Sequence, residues 1–218
     1  MDLRVLTETF DGWSGTKRPI RLRLSYGKRA LDNVLMIKRV TGSETMCGGL
    51  EYRVLCVSKS ADFTLKEFIA LPAEIQFVTD CGGLHAVCGI VAQAAAGQSD
   101  GGLATYELVM RDALALMEHR VNTRVFRNMN ELEITEVILN EWRHMNPVLA
   151  RAFDVDWSYV TGNYPKREFT MQHNESDADF LRRLWKRRGI AWFMRAGPAS
   201  QPQDNEVSIV DPEFETVV

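Results

Sequence analysis

Arg21-Leu22-Arg23-Leu24 alternates polar and apolar side chains with a period of two, the repeat of a strand with one buried face. Runs rich in β-branched, aliphatic or aromatic residues follow at Val34–Val40, Leu50–Val57, Ala73–Thr79, Leu84–Ala94 and Leu103–Met110. Between them lie Gly27-Lys28, Thr41-Gly42-Ser43, Cys81-Gly82-Gly83 and the stretch Gly97–Gly102, all with turn chemistry. Thr64–Ala70 interrupts the series and predicts a single helical turn. Short strands at this spacing point to a small barrel or sandwich.

After Asp112 the period changes. Ala113–Glu118 predicts a short helix. Asn130–His144 predicts a longer one, with Ile134, Val137, Ile138, Trp142 and Met145 on one stripe. Asn130 stands where an N-cap belongs, Glu133 completes a capping box, and Pro147 follows the end. A strand is expected near Asp156–Val160. In Arg167–Gln172 the alternation sets Phe169 and Met171 on one face, predicting a half-buried strand. Ser176 then caps a helix with Asp177 and Asp179 in its first turn, where the helix dipole favours acids. Phe180, Leu181, Leu184 and Trp185 share one face of that helix, and Asp179, Arg182, Arg183, Lys186 and Arg187 share the other. Asp179 and Arg183 have the order of a favourable helical ion pair. Lys186, Arg187 and Arg188 complement the C-terminal carbonyls, and Gly189 supplies the left-handed closing residue. Ile190–Met194 reads as a buried strand. A Pro/Gln/Gly-rich connector runs from Gly197 to Asn205, and Val207–Val210 reads as a strand without an obvious partner. No internal repeat is evident.

At 218 residues with 45% hydrophobic and 25% charged side chains, the composition is that of an ordinary globular chain. Its net charge of -3 excludes the overall basicity of a typical DNA-binding domain, so a nucleic-acid reading rests on a local patch. The start, MDLRVLTETFDGW, lacks the cationic stretch and apolar run of a signal peptide, and no segment has the length of a membrane span. A cytoplasmic location and no membrane insertion are expected. Cys47, Cys56, Cys81 and Cys88 lack metal-site spacing and are expected as small buried hydrophobes. His173, Glu175, Asp177 and Asp179 alternate, yet no Gly and Glu stand at the positions a calcium loop requires, and helix-start acids explain them better. Nucleophile-elbow, zinc-protease, Walker and dinucleotide motifs are all missing. No catalytic residue, metal ligand or cofactor is assigned, and the segment reads as a non-enzyme. The basic helix face reads first as a solvated surface with dipole compensation, second as a protein contact. Phosphate binding ranks last, because the aromatic residues lie on the opposite face.

Tyr164-Pro165-Lys166-Arg167-Glu168-Phe169, Gln172, Glu175-Ser176-Asp177, Phe180, Arg183-Leu184, Gly189-Ile190 and Phe193 together resemble the VgrG family. These are spike proteins of type VI secretion systems, related to the baseplate hub of contractile phages. Val40-Thr41-Gly42-Ser43-Glu44, Gly89-Ile90-Val91, Tyr106-Glu107-Leu108-Val109 and Thr123-Arg124-Val125-Phe126-Arg127-Asn128 look like barrel strands of the same family. The resemblance runs from about Arg21 to Asp211. It implies a mainly β, α+β fold of the phage baseplate hub type. The expected divisions are an N-terminal extension (1–20), a β-barrel-like hub module (21–112), an α+β module (113–196), and a connector with the first strand of a truncated following module (197–218).

The resemblance also implies a structural role: a homotrimeric hub that adapts to the hexameric Hcp tube, fires with it and is secreted without a signal peptide. Effectors or tip proteins would attach through C-terminal regions absent from this sequence, which is read as a fragment or short form. A contractile-phage tail hub, a spike with a hydrolytic C-terminal extension and a nucleic-acid-binding module are the alternatives. Many relatives carry acidic residues where this chain has Lys186-Arg187-Arg188. The departure nominates Arg182, Arg183, Lys186 and Arg187 as an interface toward an acidic neighbour.

Overall fold

Seven strands form the larger sheet: β1 (Ile20–Tyr26), β2 (Arg29–Asp32), β3 (Met36–Thr45), β4 (Gly49–Ser58), β5 (Pro72–Val78), β6 (Leu84–Ser99) and β7 (Ala104–Arg111). They lie in the order β2-β1-β5-β6-β7-β4-β3, and every neighbouring pair is antiparallel. This computed structural model describes residues 18–26, 29–32, 34–80, 82–99, 101–145, 150, 153–196 and 205–210. Strand β6 curls the sheet. Its first half pairs with β5 and its second with β7, with irregularities between Val91 and Gln93 and between Ala96 and Ser99. One strand serving two neighbours along different halves bends the sheet into a half-barrel. Across the opening, Arg18 Nη1 donates to the carbonyl of Ile37 at 3.3 Å.

Leu24, Val54, Ile75, Val91, Tyr106 and Leu108 fill the concave side. The short 3₁₀ turn Leu65–Glu67 brings Phe63 and Phe68 over this core, with Phe63 edge-on to Phe68 at 5.6 Å and 5.3 Å from the Tyr106 ring. The Tyr106 hydroxyl donates to the Ser60 carbonyl at 3.0 Å, so its polar tip is satisfied where the ring is buried.

The rest of the chain adds α1 (Ala113–Met117), β8 (Val121–Met129), α2 (Glu131–Met145), β9 (Phe153–Tyr159), β10 (Arg167–Ser176), α3 (Asp177–Arg188), β11 (Ala191–Ala196) and β12 (Asn205–Val210). Strands β8 and β10 form an antiparallel ribbon, and β12 lies between β11 and β9, parallel to β9. Leu114, Phe126, Ile138, Phe153, Phe180 and Trp185 make the second core. Ile90 faces this second core while its neighbour Val91 faces the first, so β6 is buried on both sides. Asp112 joins the parts: its carboxylate accepts from Leu50 N at 3.1 Å and caps α1 through Ala115 N at 3.0 Å.

Several expectations need correction. Thr41-Gly42-Ser43 is no turn; β3 runs through it to Thr45. A Cβ at Gly42 would meet the Glu51 carbonyl at 2.5 Å, so glycine there permits close cross-strand approach. Gly97-Gln98-Ser99 likewise belongs to β6. Thr123–Asn128 pairs with β10 and is not a barrel strand. The buried stripe of α2 is Glu131, Ile134, Thr135, Ile138 and Leu139, whereas Val137 and Met145 are exposed. The face of β10 is inverted: Phe169 is 64% and Met171 43% exposed, while Thr170 and Gln172 point inward. In β11, Trp192 is buried but Phe193 and Met194 are only partly so. Strand β12 has partners on both sides. Cys47 is exposed, while Cys56 and Cys88 are buried. Burial pushes the Cys56 thiol up to about 12, leaving it inert. Cys81, Gly27-Lys28, Pro147, most of the N-terminal extension and most of the connector lie outside the described residues.

Candidate functional site

Helix α3 is held at both ends and along one side. The Ser176 hydroxyl accepts from Asp179 N at 3.0 Å, and Gly189 closes the helix with φ 72°. Phe180, Leu181, Leu184 and Trp185 are all buried, with Phe180 stacked on Phe126 at 5.7 Å. Trp185 Nε1 donates to Thr135 Oγ1 at 3.0 Å, and that hydroxyl donates to the Glu131 carbonyl at 2.7 Å. Among the described residues these aromatics line no cleft. They clamp the helix to α2 and the β8–β10 ribbon.

Beneath the ribbon, the fully buried Asp177 carboxylate gathers five side chains. It accepts from Gln172 Nε2 at 2.9 Å, Asn122 Nδ2 at 3.0 Å, Trp142 Nε1 at 2.9 Å and Arg124 Nη2 at 3.3 Å, and closely from Arg120 Nε. Glu141 bridges the same two arginines, at 2.8 Å from Arg120 Nη2 and 2.7 Å from Arg124 Nη1. Burial pushes the Asp177 carboxyl up, but the bonds from Gln172, Asn122, Trp142 and Arg120 outweigh it and hold the group below the usual carboxylate range. Buried Glu131 follows the same logic. Burial raises its pKa, and the Arg188 hydrogen bond at 2.8 Å, with Arg167 at 3.1 Å, brings it down below its ordinary value. Such networks fix the orientation of the elements that carry them.

The four nominated residues do not form one free surface. Arg182 Nη1 lies 2.9 Å from Glu118 and 3.4 Å from Asp179. Arg183 holds Glu175 through Nε at 3.0 Å and donates to the Met171 carbonyl at 3.0 Å. The expected Asp179–Arg183 pair is thus replaced by Asp179–Arg182 and Glu175–Arg183, because the strand before the helix offers Arg183 a better-placed carboxylate. Lys186 and Arg187 are exposed and, among the described residues, have no ion pair. The helix presents two flanks. Arg182 and Lys186 border a hollow of about 400 Å³ with Cys47, Ile190 and Trp192, and Arg183 and Arg187 border a groove of about 440 Å³ beside β10.

Sequence reasoning missed the Asp177 network. Asp177 reads as a dipole-compensating acid, and its partners are scattered over β8, α2 and β10. One signal exists: Arg120, just before β8, and Asn122 and Arg124 within it are polar at every second position, which marks a polar inner face. The acids that alternate through His173–Asp179 diverge. Glu175 binds Arg183, Asp177 turns inward, and Asp179 joins Ser176 and Arg182. Among the described residues no group of three metal-ligating side chains converges, and no helix is long and apolar enough to cross a membrane. What the arrangement supplies is a rigidly braced helix with charged flanks.

A mainly β half-barrel joined to a clamped α+β layer is the architecture of a phage tail hub. Residues 43–207 match the phage tail baseplate hub (GPD) family, and the chain belongs to it. Among curated proteins it is 29% identical over 161 residues to the type VI secretion system spike protein VgrG4b of Pseudomonas aeruginosa, covering 74% of this chain and 19% of that one. It is 24% identical over 170 residues to the spike protein VgrG3 of Vibrio cholerae, covering 74% of this chain and 16% of the relative. The chain therefore spans about a fifth of the length of such relatives. Among solved structures, the E. coli c3393 protein is a type VI secretion component with structural similarity to the T4 tail proteins gp27 and gp5. It superposes with a TM-score of 0.71 at 19% identity, over 88% of this chain and 49% of that chain. A tail protein from Neisseria meningitidis gives a TM-score of 0.55 at 13% identity, over 92% of this chain and 53% of the other. The fold is the α+β baseplate-hub type, and the two curated relatives named above are spike proteins.

Proposed function

We propose that this chain is the hub region of a type VI secretion spike. It works without catalysis as one subunit of a threefold assembly seated on the hexameric Hcp tube. The barrel (21–112) and the α+β layer (113–196) act as two modules, with the two flanks of α3, Arg182 with Lys186 and Arg183 with Arg187, turned toward acidic neighbouring subunits or a ring. The observation that carries this reading is the match of residues 43–207 to the baseplate hub family together with the similarity to VgrG spike proteins. The Asp177 network supports it, because a part that transmits thrust needs its elements braced against one another. Secretion by the apparatus follows from that role, with effectors or tip proteins carried by other regions of the spike.

The test is genetic. A strain lacking its native spike is complemented with the longer protein bearing this region, either unaltered or with the four α3 charges reversed. Hcp in the medium is quantified over time, since rim charges act chiefly on association rate. Restored release by the unaltered protein and slowed release by the reversed one are expected. Undiminished release by the reversed protein removes the α3 contact, and no release by either removes the hub role. A hub in a contractile phage tail is the second reading, favoured by the Neisseria tail-protein superposition. Gene neighbours separate the two: Hcp and sheath components on one side, capsid and tail-fibre genes on the other.

A further inference from the structure

Among the described residues, strand β10 is paired along one edge only, with β8. On its other edge the Met171 carbonyl accepts from Arg183 Nη2 at 3.0 Å. Main-chain groups of an antiparallel strand alternate sides, so Phe169 directs its N–H and C=O toward the same outer edge. Such an edge is a template for an added strand. Native edges are commonly guarded by a bulge or inward charge, and β10 has its bulge between Gln172 and Glu175, beyond the Phe169–Met171 stretch.

The groove of about 440 Å³ runs along this edge. Arg167, Arg183 and Arg187 line it with Phe169, Thr170 and Met171, and Glu168 is its one acidic lining residue. Arg167 and Arg183 are fixed by Glu131 and Glu175 at 3.1 Å and 3.0 Å, yet each guanidinium has five N–H donors and keeps some to spare. Arg187 is exposed without an ion pair among the described residues.

The geometry points to the β10 edge as the docking site for an extended acidic segment of a partner protein, added as the next strand of the β8–β10 ribbon. Strand periodicity sets its character: apolar residues alternate with acidic ones, the former beside Phe169 and Met171, the latter over Arg183 and Arg187. A second copy fits poorly, because β10 against β10 would set these arginines against themselves. The inference rests on the contact role given to α3 but not on the tube as partner.

A fluorescent peptide of alternating glutamate and valine is titrated into the full chain, with a lysine–valine peptide and a duplex DNA as comparators. Binding of the acidic peptide alone is expected, with slowed amide exchange at Phe169 and Met171. Arg187→Glu weakens it about tenfold, whereas Lys38→Glu, a reversal on exposed β3, leaves it unchanged. Absence of binding at low salt overturns the inference. So does equal binding of the lysine peptide, an unaffected Arg187→Glu, or protection elsewhere. Preferred binding of DNA would reassign the groove to phosphate, and protection of these amides by self-association would reassign it to a second copy. If the peptide fails while Hcp release still depends on the α3 charges, this inference falls alone.

Discussion

The indole nitrogen of Trp142 in α2 donates to the carboxylate of Asp177 at the start of α3, at 2.9 Å. This bond crosses from one helix to the other beneath the ribbon. Asp177 is fully buried, so its removal takes the acceptor from Trp142 Nε1 and Asn122 Nδ2 and strips a partner from Arg120, Arg124 and Gln172. Breaking a buried pair on one side costs about 3–5 kcal/mol. Asp177→Ala is therefore expected to lower the urea unfolding free energy by about that amount. Asp177→Asn retains the shape and loses less. An Asp177→Ala protein as stable as the parent would show that the network braces nothing.

The same carboxylate sets an acid response. Its folded pKa lies below the ordinary value of about 4, as does that of Glu131. Protons then bind the unfolded chain more readily, and the stabilisation present above that ordinary value is lost as pH falls through the depressed folded values. Urea midpoints measured downward from pH near 6 should fall steeply below about 4, and Asp177→Asn should flatten the fall. An unchanged slope in that variant would locate the acid sensitivity elsewhere.

Gly49 and Gly82 share a left-handed backbone, with φ 80° and 76°. Only Gly49 has a neighbour in the way: an added Cβ would meet the Asp112 carboxylate, which caps α1 and receives Leu50 N. Left-handed strain alone costs about 1–3 kcal/mol. Thermal melts should rank Gly49→Ala well below Gly82→Ala. Equal losses would mean that Asp112 relaxes freely and joins the two parts only weakly.

Legibility in the sequence follows the range of the interactions. The Asn130–Glu133 capping box forms, with backbone bonds at 2.8 and 3.0 Å, and the Ser176 cap and Gly189 closure also stand where local chemistry puts them. These are contacts between residues a few positions apart. The apolar face of α3 is readable for the same reason. The inward face of β10 is not, because alternation reveals two faces without saying which is inside. Phe169 and Met171 face outward because Gln172 is needed at Asp177. The partners of β12 are invisible, since a parallel neighbour such as β9 lies far away in sequence. The arginine side of α3 is legible as a charged face, but Glu118 and Glu175, which divide it into two flanks, come from other elements.

The two flanks differ in what charge reversal should do to folding. Arg183→Glu breaks the Glu175 pair and the bond to the Met171 carbonyl. At an exposed pair this costs about 0.2–1 kcal/mol. Lys186→Glu breaks no ion pair among the described residues and should stay within about 0.5 kcal/mol of the parent. Denaturation curves for the two check this. A marked loss in Lys186→Glu would reveal a structural role for that flank and remove it as an assembly surface.

The most direct measurement is an electron cryomicroscopy reconstruction of the spike bearing this region, mixed with Hcp. A threefold particle seated on a sixfold ring, with α3 within contact of an acidic neighbouring surface, is the predicted result. A particle without threefold order, or a ring bound through other regions with this chain standing clear of it, would contradict the account.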